Sequence, residues 1–304
     1  MLKKYNIENR QIIETTVENP LIWLAINPDA NERKKFVEDF NIDDHNLSSA
    51  MDPEEASRLE LENEHLALIF KRPKNYSSKD QFLFKVSSMG IFLYKDKLII
   101  VISEEIPLFS GKHFKHVEGI KEVFLKLIYN SIFHFMEHLK VINMIADEIE
   151  KKINKSMENK YLLNLFTLEK SLVYYLNAIN SNGYAFERLK HHTEKIGLSQ
   201  RAQEFLEDII IENNQCYRQA EIYSNIFASL MDARVSIVNN NLNVLMKTLN
   251  IVTISLMVPT LVVSIFSMNV ALPFQHHPGA FFLVLVFCAI ALGLFTIWWR
   301  KRKW

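Results

Sequence analysis

Polar side chains recur along one helical face of an otherwise apolar segment near the carboxyl terminus. Counted back from Asn269, the positions on this face recur at spacings of three to five and alternate amide or hydroxyl groups with bulky apolar groups. We call the following seven residues the polar stripe: Ser264, Thr260, Met257, Thr253, Leu249, Met246 and Asn243. Such spacings place side chains on one side of a helix. Uncharged amide and hydroxyl oxygens could hydrogen-bond the water shell of a hydrated cation without trapping it. The same hydroxyls could instead bond to their own backbone or assist helix packing.

The apolar members of the stripe allow two interpretations. Met246, Leu249 and Met257 could form a hydrophobic constriction that opens and closes by wetting and dewetting. They could equally pack between helices. Asn243 and Asn269 stand at the two ends, where each could supply a ring of amide oxygens in an oligomer.

The segment that carries the stripe has the length and composition of a membrane span. Residues 248–299 contain no Lys, Arg, Asp or Glu. A bilayer core of ~30 Å needs ~20 helical residues, and residues 249–269 and 280–299 both meet that length. The loop between the spans has no Lys or Arg, whereas a basic cluster follows the second span. The positive-inside rule therefore predicts a cell-membrane protein with both termini in the cytoplasm.

Composition narrows the function class. Residues 1–246 carry 30 Lys and Arg against 35 Asp and Glu, which argues against a nucleic-acid partner. Two cysteines exclude a disulfide framework, and MLKKYNIENRQ has no apolar core of a cleavable signal. The sequence contains no Gly-rich phosphate loop, no GxSxG and no HExxH, so we expect no enzyme and no organic cofactor.

Helix breakers and periodicity predict the domain organisation. Prolines and short β-rich runs, including 21–26, 66–71, 82–86, 90–94 and 98–103, predict a mixed α and β domain over residues 1–118, with a hairpin around 95–97. Residues 119–196 read as an antiparallel pair of helices, 120–154 and 159–192. A third helix with Ser199 as N-cap meets no Gly or Pro until Pro259, ~90 Å if unbroken. We expect this helix to form a cytoplasmic stalk over residues 197–248 and to continue into the first span, 249–270. The remaining predicted segments are an extracytoplasmic loop (271–279), the second span (280–299) and a basic cytoplasmic tail (300–304).

The carboxyl-terminal half resembles the CorA family of magnesium channels. The first span ends in Phe266, Ser267, Met268 and Asn269, and the chain ends in a basic run closed by Trp304. The family signature is Gly-Met-Asn at this place. The resemblance extends through NNNLNVLMKTLN and EDIIIENNQ, and more weakly to SAMDPEEASRLELENEHLALIFKRP. Two departures are Ser267 in place of glycine, which loses glycine's φ freedom, and a loop that offers His276 and His277 instead of acids.

The resemblance implies a fold and an activity. The fold is an α+β cytoplasmic domain followed by long helices and two transmembrane helices, in a funnel-shaped homopentamer whose first span lines the pore. The activity is conduction of a divalent cation, Mg²⁺ above all, with Co²⁺ and Ni²⁺ as further substrates. The polar stripe would then line the pore, and the selectivity filter would be Ser267, Met268 and Asn269.

The resemblance also implies regulation by cytoplasmic Mg²⁺ bound between subunits. The matching acid is Asp208, and neighbouring acids lie on overlapping faces: Glu204, Glu207 and Glu212. Acids on such a helix could simply be solvated. Asp80 is only a guess for the partner ligand. The basic ring around the family's pore entrance would correspond to Arg300, Lys301, Arg302 and Lys303, which a topology anchor explains equally well.

Two other functions stay open at this level. Ser267 and the loop histidines leave room for a zinc transporter of the same fold. A membrane-anchored regulatory or scaffold protein that has lost conduction is the alternative from another class. His134 with His138, and His191 with His192 and Glu194, lack the full ligand set of a zinc site, so we interpret them as histidines on helix surfaces.

Overall fold

A computed structural model describes residues 1–76, 82–155, 159–270 and 278–301. The chain divides into two compact units, residues 1–231 and 232–304. The first unit holds β1 (Leu2–Glu8), β2 (Gln11–Glu14), β3 (Ile22–Ile26), α1 (Ala30–Phe40), α2 (Asp44–Ser49), β4 (Arg58–Leu61), β5 (His65–Pro73), β6 (Val86–Tyr94), β7 (Leu98–Ile102), α3 (Ile120–Lys155), α4 (Asn159–Lys190) and α5 (Thr193–Ile196). Helix α6 (Gln200–Phe266) begins in the first unit and ends in the second, which also holds α7 (Ala280–Lys301).

The strands of the first unit form one mixed sheet. Their order is β2-β1-β3-β7-β6-β5-β4. Only the pairing of β3 with β7 is parallel among these strands, and Leu24 lies opposite Ile100 there. The predicted hairpin is the antiparallel β6–β7 pair, in which Ile91 lies opposite Ile100. The sheet together with the long helices that follow it confirms the α+β fold class.

Both faces of the central strands are buried, which explains why these strands are apolar without alternation. In β3, Ile22 and Leu24 belong to a core shared with α3, α4 and the first part of α6. The intervening Trp23 belongs to a second core with α1 and α2, which includes Phe36 and Leu47. Alternate residues of one strand therefore bind helices on opposite sides of the sheet.

One strand prediction is wrong. Residues 82–86 read as a strand, but β6 begins only at Val86 and continues to Tyr94. Phe82 has a φ of +69°, which lies outside the extended region that a strand requires. The backbone N–H of Phe84 donates instead to Ser171 Oγ on α4, at 2.9 Å. A helix thus takes the hydrogen bond that a neighbouring strand would have received.

The predicted helical pair corresponds to α3 and α4, and the long third helix corresponds to α6. Ser199 caps α6, because its Oγ accepts a hydrogen bond from Ala202 N at 3.3 Å. The helix passes through Pro259 and ends at Phe266. Proline lacks the N–H that an inner helical position uses, but apolar membrane helices tolerate this loss.

The side chain of Asn182 joins α4 to the edge of the sheet. β4 pairs with β5 only as far as Ile69, so the peptide groups of Lys71 lie beyond the end of β4. Asn182 Oδ1 accepts from Lys71 N and Asn182 Nδ2 donates to Lys71 O, both at 2.8 Å. The same Oδ1 also accepts from Ser57 Oγ at 2.8 Å. One buried side chain therefore takes the place of a neighbouring strand.

Candidate functional site

The polar stripe lies within α6, on one side of it. At about 100° per residue, its members from Asn243 to Ser264 fall within an arc of about 120° around the helix axis. All of them are exposed in the single chain, as are most of their neighbours. Exposure alone therefore does not single out this side of the helix.

The threonine hydroxyls of the stripe donate to the helix itself. Thr253 Oγ1 donates to Leu249 O at 2.9 Å, and Thr260 Oγ1 donates to Leu256 O at 2.7 Å. A hydroxyl has one hydrogen and two lone pairs. Because the hydrogen is used within the helix, each of these oxygens offers only acceptor capacity to whatever lies outside the helix.

The three residues of the predicted filter follow directly after the end of α6. Ser267, Met268 and Asn269 are exposed and lie outside the helix, which ends at Phe266. His276 and His277 lie outside the described residues, so the structure says nothing of the loop histidines.

Helix α7 contacts α6 within the second unit. The rings of Phe266 and Phe287 stack with centroids 6.0 Å apart. Cys288 Sγ lies 3.7 Å from the carbonyl oxygen of Pro259 and donates to it. α7 ends at Lys301, so Arg300 and Lys301 occupy its last turn. The other two residues of the predicted basic ring, Arg302 and Lys303, lie outside the described residues.

The four acids of the predicted regulatory site lie in the first turns of α6, but they have different partners. Glu207 forms an ion pair with Lys190 of α4 at 2.9 Å, and this hydrogen bond raises the pKa of Lys190. Glu204 accepts from Gln200 Nε2 at 3.3 Å, whereas Glu212 is half-buried. Within the described part of the chain, no three or more His, Cys, Asp or Glu side chains are grouped to hold a metal ion.

Asp208 and Glu204 face an open cavity between the beginnings of α3 and α6. Its volume is about 1060 Å³, and Lys126 and Arg201 also line it. Arg201 lies two helical turns before Asp208, a spacing from which the sequence alone could have suggested a shared face. Lys126 comes from another helix, and no local pattern indicates it. Asp80, the guessed partner ligand, lies outside the described residues.

The interpretation of His134 and His138 as surface histidines is wrong for His138. The two rings stack with centroids 5.9 Å apart, and His138 Nδ1 lies 2.6 Å from the hydroxyl of Tyr175, a fully buried residue of α4. Burial lowers the pKa of His138 to about 4. Burial also raises the pKa of the Cys216 thiol on α6 to about 12. His138 is therefore half-buried and uncharged at neutral pH, because α4 partly covers the face of α3 on which it lies.

The chain matches the model of one protein family along nearly its whole length. The model is that of the CorA-like Mg²⁺ transporter protein, and the match covers residues 18–302. The chain belongs to the CorA-like Mg²⁺ transporter family. In the described part of the chain, two helices are long and apolar enough to cross a membrane, α6 and α7, and the match includes both.

Individual relatives agree with this assignment to the CorA-like family. The cobalt/magnesium transport protein CorA of Methanocaldococcus jannaschii is 24% identical over 300 residues, which cover 93% of this chain and 91% of the relative. The complete structure of the CorA magnesium transporter from the same organism has a TM-score of 0.84 at 22% identity, and covers 100% of this chain and 98% of that one. At this identity the likeness shows the fold.

Two further solved structures share the fold at lower identity. The full-length CmaX protein has a TM-score of 0.74 at 14% identity and covers 99% of this chain and 97% of that one. The cytoplasmic domain of ZntB from Vibrio parahaemolyticus has a TM-score of 0.62 at 14% identity and covers 78% of this chain and 98% of that one.

Proposed function

We propose that this protein is a homopentameric channel that conducts Mg²⁺ across the cell membrane, with the polar stripe lining the pore and Ser267, Met268 and Asn269 at its outer mouth. Two membrane helices per chain cannot enclose a pore, so conduction requires several copies. Both termini would lie in the cytoplasm, where the basic end of α7 would face the pore entrance. The observation that carries the proposal is the uncharged polar stripe on the first apolar helix of a CorA-like chain.

The hydrogen bonding of the stripe supports a cation as its substrate. Mg²⁺ keeps its water shell tightly, and the hydrogens of that shell point away from the ion. Groups that hold a hydrated cation must therefore accept hydrogen bonds. Thr253 and Thr260 have already donated their hydrogens to Leu249 and Leu256, so their oxygens can only accept. Asn269 would add amide oxygens without a formal charge.

We propose further that cytoplasmic Mg²⁺ closes the channel by binding at Asp208 between neighbouring subunits. The described residues of one chain do not group enough ligands for a metal ion, and this agrees with a site that needs a second chain. Helix α6 carries both Asp208 and the polar stripe without a break. Ion binding at one part of this helix could therefore bias its other part.

The experiment compares Mg²⁺ and Zn²⁺ flux into proteoliposomes that contain the purified full chain, together with rescue of a magnesium-requiring bacterial strain. Asn269→Ala should abolish Mg²⁺ flux at equal protein content. Asn241→Ala is the matched control. Asn241 lies about 160° around the helix from Asn243 of the polar stripe, so this variant should conduct normally. Preference for Zn²⁺ would replace the Mg²⁺ assignment with a zinc transporter. Absence of flux with either ion would refute transport and favour a scaffold.

A further inference from the structure

The residue that departs from the family signature ends α6 with its own side chain. Ser267 Oγ donates to the carbonyl oxygen of Ser264 at 2.9 Å. The backbone N–H of Ser267 donates to Val263 O at 3.1 Å and is shared with Ser264 O at 3.3 Å. Met268 N donates to Ile265 O at 3.4 Å. Three of the last carbonyls of the helix, which have no partner within an ordinary helix end, therefore receive hydrogen bonds.

This helix end does not use the conformation for which glycine is usually needed. Helices often end with a glycine of positive φ, which brings later N–H groups back onto the last carbonyls. Ser267, Met268, Asn269 and Val270 are all described, and none has a positive φ. A serine can therefore occupy this position without strain, and its hydroxyl adds an intrahelical hydrogen bond that glycine cannot form.

We propose that Ser267 is a positioning residue that holds Asn269 at the pore mouth by capping Ser264, and that its hydroxyl does not contact the ion. This inference rests on the proposed channel function and refines the role of one residue in it. The hydroxyl hydrogen is used on Ser264 O, so the side chain is directed back along α6. Asn269 follows two residues after this cap, and its amide can bind a hydrated cation at a fixed place only if the helix end is fixed.

Three substitutions separate this role from the alternative that serine is simply a small substitute for glycine. Ser267→Thr keeps the hydroxyl, Ser267→Ala removes it, and Ser267→Gly restores the signature residue. If the cap matters, threonine should behave like serine, whereas alanine and glycine should both weaken ion binding or ion preference. If only small size matters, glycine should equal or exceed serine, and threonine should be the worst.

The assay measures initial rates of Mg²⁺ uptake into proteoliposomes at equal protein content, over a range of Mg²⁺ concentrations with and without Co²⁺ as competitor. For Ser267→Ala and Ser267→Gly we expect the half-saturating Mg²⁺ concentration, or the Mg²⁺-over-Co²⁺ preference, to change about two- to tenfold, the range expected for one hydrogen bond. Ser267→Thr should stay within about twofold of the parent. A cap with only a structural role would lower the yield or the melting temperature and leave half-saturation unchanged.

Thr296 supplies the matched control. Its Oγ1 donates to Gly293 O at 2.8 Å, which is the same three-residue hydroxyl-to-carbonyl bond in α7. Thr296→Ala should leave half-saturation and ion preference unchanged. An active parent whose Ser267→Gly variant matches or exceeds it would overturn the inference and leave the channel proposal standing. An inactive parent would instead refute the channel proposal itself.

Discussion

Replacing Asn182 by alanine should destabilise the first unit more than the same replacement of Asn213, another buried asparagine. The side chain is fully buried and takes part in three hydrogen bonds at 2.8 Å, two with the peptide groups of Lys71 and one with Ser57 Oγ. Alanine removes all three and leaves Lys71 N without a partner in the sheet. Lys71 O keeps one bond, from Ser131 Oγ at 3.1 Å.

The expected cost follows from these contacts. A net hydrogen bond contributes about 0.5–1.5 kcal/mol, and a buried donor without a partner costs about 1–3 kcal/mol. Three lost bonds and one unpaired donor sum to about 2.5–7.5 kcal/mol for Asn182→Ala, a large part of the about 5–15 kcal/mol that stabilises a typical domain. The local consequence is separation of α4 from the edge of β5, so the amide of Lys71 should exchange its hydrogen faster.

Asn213→Ala is the matched control. Asn213 on α6 is 2% exposed, against 0% for Asn182, but it makes one hydrogen bond, to Ile179 O at 3.1 Å, and its Oδ1 has no partner among the described residues. Its replacement should cost about 1 kcal/mol or less. The assay is urea unfolding of the full chain in detergent, with hydrogen exchange of the peptide that contains Lys71. Equal costs for the two variants, or unchanged exchange at Lys71, would refute the reasoning.

Two further predictions concern pH and regulation. The pKa of His138 is lowered by burial, with a smaller contribution from His134, to about 4, below the ~6.5 of an unfolded histidine. The unfolded chain therefore binds the extra proton first, and stability is lost as pH falls from ~6.5 towards 4, by up to about 1.4 kcal/mol per pH unit. His138→Gln should reduce the fall in melting temperature between pH 7 and pH 5, whereas the surface variant His191→Gln should not. Equal falls in the two variants would count against a half-buried histidine that is uncharged at neutral pH. Asp208→Ala should give currents that persist at millimolar internal Mg²⁺. The control is Glu221→Ala, which removes an exposed acid of the same helix and should retain inhibition by Mg²⁺. Unchanged inhibition in Asp208→Ala would exclude Asp208 as a ligand.

Long helices with an uninterrupted apolar repeat could be predicted from the sequence. α3, α4 and α6 repeat apolar residues every three or four positions without Gly or Pro over most of their lengths, so their boundaries agree with expectation within a few residues. The length of the uncharged apolar run predicts α7. The hairpin of β6 and β7 was also predicted, because its strands are neighbours in the chain.

Features that depend on distant residues could not be predicted in this way. Residues 82–86 have the composition of a strand, but Ser171 of α4 binds the backbone of Phe84 and the segment leaves the sheet. His138 is polar and reads as a surface residue, but it follows buried Phe135 by three positions and its hydrogen bond to Tyr175 lies between α3 and α4. Each outcome was decided by a partner far away in the sequence, which local periodicity does not contain.

The polar stripe combines both kinds of information. The sequence by itself determines that hydroxyl and amide groups share one side of a helix that becomes uncharged after Lys247 and ends near Asn269, because helical period and hydropathy are local properties. Only the tertiary structure decides where the hydrogen atoms go: the hydroxyls of Thr253, Thr260 and Ser267 donate to carbonyls one turn back. That choice depends on side-chain rotamers and on the geometry of the helix end, and residue types alone do not specify either.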